Sequence, residues 1–179
     1  MDMLVFKNDV GDYELPRLER YLHLLDLELR EAVSRIKLSI DSESNGLYDV
    51  VESVIGHAFV DIQYYLTSVR SGLNLKPKAA FSVGPLVADG ISIAEALNAA
   101  ANYWKHHEEW YAELQDSPDG HLSGQGMATL AVLEKVVPWS DYTCSNFLAA
   151  VLGGDNFELS RLLPLIVQWR DNLLANVKK

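Results

Sequence analysis

The residues with the most chemical potential lie on one predicted helix, from about residue 92 to 114. Asn98, Asn102, Lys105 and Glu109 recur at spacings of three and four, which puts their side chains on neighbouring turns of one face, with His106 beside them. Such a face could form a site in which Asn102 orients a substrate, Lys105 contacts a phosphate and His106 transfers a proton. The same residues equally describe a solvated face with a local Lys105–Glu109 pair, and spacing by itself favours that reading.

Glu108 raises a separate question. With Leu97 at the centre of the apolar arc and about 100° per residue, Ile93, Ala94, Ala100, Ala101, Trp104 and Tyr111 fall around it, and Glu108 projects into the same arc. A lone buried carboxylate is costly. Arg170 falls inside the apolar stripe of the last predicted helix, so a buried Glu108–Arg170 ion pair is expected; the functional alternative is an acid of raised pKa or a ligand. Metal ligation has weak candidates in His57 with Asp61 and in His106 with Glu109, beside His107, and a bundle core is a recurrent place for such sites. The Glu-x-x-His element of di-iron carboxylate bundles does not occur, so no metal and no cofactor is assigned. Cys144 is the only cysteine; with no obvious base beside it, it reads as a small buried hydrophobe, and no intrachain disulfide can form. There is no phosphate loop and no Gly-x-Ser-x-Gly. Trp139, Trp169, Tyr64 and Tyr65 read as core or groove-lining residues.

The run at 100–110, carrying Asn102, Lys105, His106 and His107, resembles the Asn-x-x-Lys-His helix of several bacterial all-helical families, some of which are similar to the HEPN superfamily of helical bundles. The resemblance covers those residues and their helical context. It implies a component of RNA metabolism or of a defence or toxin system, with His106 as general acid or base, Asn102 and Lys105 as helpers, metal-independent ribonuclease activity, and a second subunit completing the site. Active HEPN ribonucleases carry an Arg followed after four to six residues by His. Here that spacing occurs at Arg17 and His23 in the first predicted helix, where apolar Leu18 follows the arginine, and both are read as surface residues.

These residues must be positioned by helices. Leu18, Leu22, Leu25, Leu29, Val33, Ile36 and Ile40 draw one stripe after Pro16, with Asp26–Arg30 and Glu31–Arg35 as i,i+4 pairs on the solvent side. A second helix is predicted from about 47 to 69. Residues 72–90, interrupted by Pro77, Gly84, Pro85 and Gly90, are expected as an ordered loop with a short hairpin, against which extended residues 3–6 could pair. Ser92 is a good N-cap for the third helix, with Glu95 at the capping-box position, and residues 116–120 end it. Shorter helices follow at about 125–137 and up to 152, the latter capped by Ser140 or Asp141. The last is capped by Asp155 or Asn156, with Pro164 kinking it or marking its true start. The third helix, apolar over most of its circumference, should be central. The fold expected is an all-α single-domain bundle of five or six helices over residues 1–179, with 1–15 as an N-terminal arm.

At 179 residues the chain can bury about 70% of its unfolded surface without disulfides. Fifteen Lys and Arg against 25 Asp and Glu give a net charge of −10, which disfavours sequence-independent nucleic-acid binding and docking on anionic membranes. Nucleic acid is a partner only under the HEPN-like reading. The N-terminus lacks a cationic region and no stretch of eighteen apolar residues occurs, so a cytoplasmic protein with no membrane contact is expected. The physics favours a non-enzymatic interaction or regulatory protein of bacterial type, binding a protein partner or a second copy through an apolar groove. The alternatives are a HEPN-like ribonuclease and a metal-binding helical bundle.

Overall fold

A computed structural model describes residues 4–6, 9–116, 122, 124–138, 140–154 and 157–177. Among them are seven α-helices: α1 (Leu15–Leu38), α2 (Leu47–Gly72), α3 (Pro77–Phe81), α4 (Ile93–Asp116), α5 (Gly124–Leu133), α6 (Thr143–Leu152) and α7 (Leu163–Val177). The fold is all-α. Among the described residues strands are confined to two antiparallel hairpins, β1 (Leu4–Phe6) with β2 (Asp9–Gly11), and β3 (Leu86–Ala88) with β4 (Ile91–Ser92). The first pairs Val5 with Val10, so residues 4–6 find their partner within the N-terminal arm and not in the 72–90 segment. The expected hairpin forms at its end, turned at Gly90 in a left-handed conformation (φ 68°), but residues 77–81, expected as part of a loop, form helix α3. Pro77 opens α3, where a missing N–H costs nothing.

Helix α1 lies along α2, and α2 along α4. The leucine stripe of α1 is buried at Leu18, Leu22 and Leu29, as its period requires. Asp26 lies on that stripe and is 1% exposed, which corrects the solvent-side Asp26–Arg30 pair. Its carboxylate accepts backbone N–H bonds from Leu159 at 2.6 Å and Ser160 at 3.2 Å, the opening residues of a 3-10 turn (Leu159–Leu162) that leads into α7. A carboxylate at the start of a helical turn satisfies N–H groups that have no intrahelical acceptor. Arg30 instead approaches Glu158, at 3.8 Å. Pro164 stands at the second position of α7, so it marks that helix's start and does not kink it.

The N-terminal arm is tied down by Asp12. Its Oδ1 accepts from the Leu15 amide at 3.1 Å, and its Oδ2 from the Tyr65 hydroxyl at 2.6 Å and from Arg170 Nη1 at 2.8 Å. One carboxylate thus joins the start of α1 to α2 and α7. Trp169 and Tyr65 are core residues, as expected; Tyr64 is 51% exposed and lies under the Arg17 guanidinium. The predicted features at residue 3, at 117–120, at Trp139 and at 155–156 lie outside the described residues.

Asp26→Ala removes the acceptor for two backbone N–H groups in a water-poor site. Because hydrogen bonds to charged groups contribute about 1.5–3 kcal/mol each and are not additive, a loss of about 2–4 kcal/mol in unfolding free energy is expected from urea denaturation monitored by far-ultraviolet circular dichroism.

Candidate functional site

The first half of α4 is the centre of the bundle. Ile93, Ala94, Ala96, Leu97, Ala99, Ala100 and Ala101 are all buried, and the small side chains let α2, α5 and α7 come close. Ser92 starts the helix as predicted: its Oγ accepts from the Glu95 amide at 3.1 Å while its hydroxyl donates to the Phe81 carbonyl, which also ties α3 to α4. Beyond Tyr103 the helix emerges from its neighbours. Lys105, Glu108 and Glu109 are exposed, and Trp110 remains buried against Gly126 of α5.

This emergence overturns the expected Glu108–Arg170 pair. Glu108 occupies the apolar arc by angle only; at its position on α4 no neighbouring helix covers it, and the carboxylate is in solvent. Arg170 is largely buried, but its partners are Asp12 and Asp171, each at 2.8 Å. Burial works against its charge, and the two carboxylates outweigh that penalty and hold its pKa above the ordinary value.

The polar stripe is resolved by a residue that sequence reading missed. Gln63 of α2 donates from Nε2 to Asn98 Oδ1 and to Asn102 Oδ1, both at 2.9 Å, and its Oε1 accepts from Lys105 Nζ at 2.8 Å. Lys105 therefore reaches across to α2 and does not make the local pair with Glu109; burial holds its pKa below the ordinary lysine value. A signal for Gln63 existed: it interrupts the apolar run between Ile62 and Tyr65, where an amide must find partners. Asn98 and Asn102 also border a cleft of about 460 Å³ between α3, α4 and α5, lined further by Lys78, Phe81, Glu95, Gln125, Thr129 and Val132. His106 does not line this cleft. Its Nδ1 lies 3.0 Å from Glu109 Oε2, and its ring stacks on Trp110 at 6.0 Å between centroids. Of the three residues proposed to act together, Asn102 and Lys105 are joined through Gln63, and His106 leans away along α4.

The weak metal candidates do not converge. The His57 ring nitrogen Nδ1 donates to the Ser53 carbonyl at 2.7 Å, while Asp61 borders a small recess with Arg17 and Tyr64 against α1. Burial raises the Asp61 pKa, opposed by the charges of Arg17 and His57. Among the described residues no group of three or more His, Cys, Asp or Glu is arranged to hold a metal ion. Arg17 and His23 are exposed on α1, as expected. No helix among the described residues is long and apolar enough to cross a membrane.

Two further contacts position α4 and α6. The indole of Trp104 lies on Gly56 of α2 so closely that a Cβ built at Gly56 would fall 2.1 Å from Trp104 Cδ2. At the start of α6 the cap expected from Ser140 or Asp141 is supplied by Glu52 of α2, which accepts from the Cys144 amide at 2.6 Å, the Ser145 amide at 2.9 Å and the Ser145 hydroxyl at 2.6 Å. Cys144 is fully buried; burial first, then the nearby Glu52 carboxylate, pushes its thiol far above the ordinary range. Comparison of the chain with protein-family models, with curated proteins and with solved structures finds no match.

Gly56→Ala should lower unfolding free energy by about 1–3 kcal/mol, the usual range for overpacking, with thermal melting as the readout. Since thiolate formation at Cys144 is disfavoured, a thiol reagent such as a disulfide chromophore should fail to label native protein at pH 8 and react promptly once urea unfolds the chain.

Proposed function

We propose that this protein is a non-enzymatic interaction protein of bacterial, cytoplasmic type that binds a protein segment in the cleft between α3, α4 and α5. The observation that supports it is the chemistry of the cleft wall. Phe81, Ala99 and Val132 provide apolar area, and Asn98, Asn102, Gln125 and Thr129 provide neutral hydrogen-bonding groups. Because Gln63 occupies the Oδ1 atoms of Asn98 and Asn102, their amide nitrogens are the groups left to donate, which suits the carbonyls of a bound segment. The described residues lining the cleft include no histidine, cysteine or tyrosine, and its titratable groups are Lys78 and Glu95. A single buried thiol and a net charge of −10 suit a reducing, protein-crowded compartment.

The HEPN-like ribonuclease is the second reading. It is supported by the Asn102–Gln63–Lys105 chain, which holds a cation one residue from His106. One experiment separates the two. Purified protein is incubated with RNA, with and without chelator, beside His106→Ala and Val132→Arg, and each form is also used for affinity capture. The interaction reading expects no cleavage above the His106→Ala background and a discrete bound protein or second copy that Val132→Arg loses while His106→Ala keeps. Chelator-resistant cleavage abolished by His106→Ala would transfer the assignment to the ribonuclease.

A further inference from the structure

A second concavity lies along the C-terminal half of α4 and shares no lining residue with the α3–α5 cleft. It is a pocket of about 260 Å³ lined by aromatic and acidic side chains. From α4 it takes Tyr103, Trp104, His107 and Tyr111; from the α1–α2 turn and the start of α2, Glu43, Asp49 and Glu52; from the turn before α6, Asp141 and Tyr142. Among these lining residues there is no lysine or arginine.

The rings form a built wall. The His107 imidazole is stacked between two neighbours, 5.1 Å from the Trp104 ring centre and 5.5 Å from that of Tyr103, and its Nδ1 donates to the Trp104 carbonyl at 2.9 Å. Gly56 sets the depth of this wall by letting the indole sit against the α2 backbone. Opposite, Tyr142 is in the left-handed region (φ 58°, ψ 43°), a conformation that a bulky residue rarely holds, and its hydroxyl donates to Glu43 Oε1 at 3.2 Å. Glu52 is committed to the first amides of α6 and so neutralises the positive end of that helix beside the pocket. With that helix end compensated, Asp49, Asp141 and Glu43 leave the pocket a negative field.

We propose that this pocket binds an organic cation, an alkylated ammonium group, with the rings of Trp104, Tyr111 and Tyr142 against the methyl groups and Asp49 and Asp141 compensating the charge. The chemistry excludes the obvious competitors. Anions meet carboxylates with no cationic side chain to offset them. Hard divalent cations need six to eight oxygen ligands, and among the described residues no three acidic or histidine side chains are arranged to hold a metal ion. An alkylammonium, weakly hydrated and broad, is attracted by aromatic faces and by carboxylates together. The volume is below the range of about 300–1,000 Å³ typical for drug-sized ligands, so it suits a head group. The ammonium could come from a free small molecule or from a methylated lysine side chain. The inference does not depend on the function assigned to the α3–α5 cleft, because its residues are different.

The test is calorimetric titration of the intact protein with choline, with N-acetyl-trimethyllysine amide, and with 3,3-dimethylbutanol, the neutral isostere of choline. Binding of at least one cation is expected, with the neutral isostere weaker by about 10-fold or more. The Asp49→Asn, Asp141→Asn double variant and Tyr111→Leu should each weaken it by about 3- to 30-fold. The tighter of the two cations identifies the source. No binding of either cation at 10 mM, equal binding of the isostere, or a calcium response that competes with choline would each overturn the proposal. The isostere comparison uses unaltered protein, so it stands even where a variant fails to fold.

Discussion

The approach of α2 to α4 at Gly56 and Trp104 governs the rest of the molecule. A glycine inside a helix costs about 0.5–1 kcal/mol relative to alanine, and here that cost is offset by an indole lying directly on the α2 backbone. The contact sets the distance between α2 and α4. It thereby allows Gln63 to reach Asn98, Asn102 and Lys105 from the same side of α2. The same indole lines two concavities, one bordered by Lys105 and Glu108, the other by Tyr111 and Tyr142.

Buried or half-buried carboxylates do much of the long-range joining. Asp12 links the N-terminal arm to α2 and α7, Asp26 opens the 3-10 turn before α7, and Glu52 opens α6. In each case a side chain satisfies groups from a distant part of the chain, over a separation of as many as 158 residues for Asp12 and Arg170. In an acidic chain of net charge −10, seating carboxylates against amide N–H groups and one arginine also removes them from mutual repulsion at the surface.

The arrangement separates the chemistry of α4 into two halves. Its buried, alanine-rich half presents amides to the α3–α5 cleft, where hydrogen bonding and apolar contact are available. Its emergent half carries the histidines and most of the aromatic rings, where stacking and charge dominate. His106 belongs with the second set by its contacts, although Asn102, one turn earlier, belongs with the first.

Periodicity made most of the helices legible, because a three-and-four apolar repeat has few other uses: the leucine stripe of α1, the alanine-rich burial of α4 and the Ser92 cap all follow from local pattern. Local pattern also placed Asn98, Asn102, Lys105 and His106 on neighbouring turns of one helix. It could not say where α4 leaves the core, so angle alone buried Glu108 and assigned it to Arg170. Nor could it see that Asp26 and Glu52 cap distant turns, since a capping acceptor from another helix leaves no mark beside the residues it caps. Which residues share a turn was decided by the sequence; which of them share a partner was decided by how closely α2 and α4 pack, a distance set by Gly56 against the Trp104 indole.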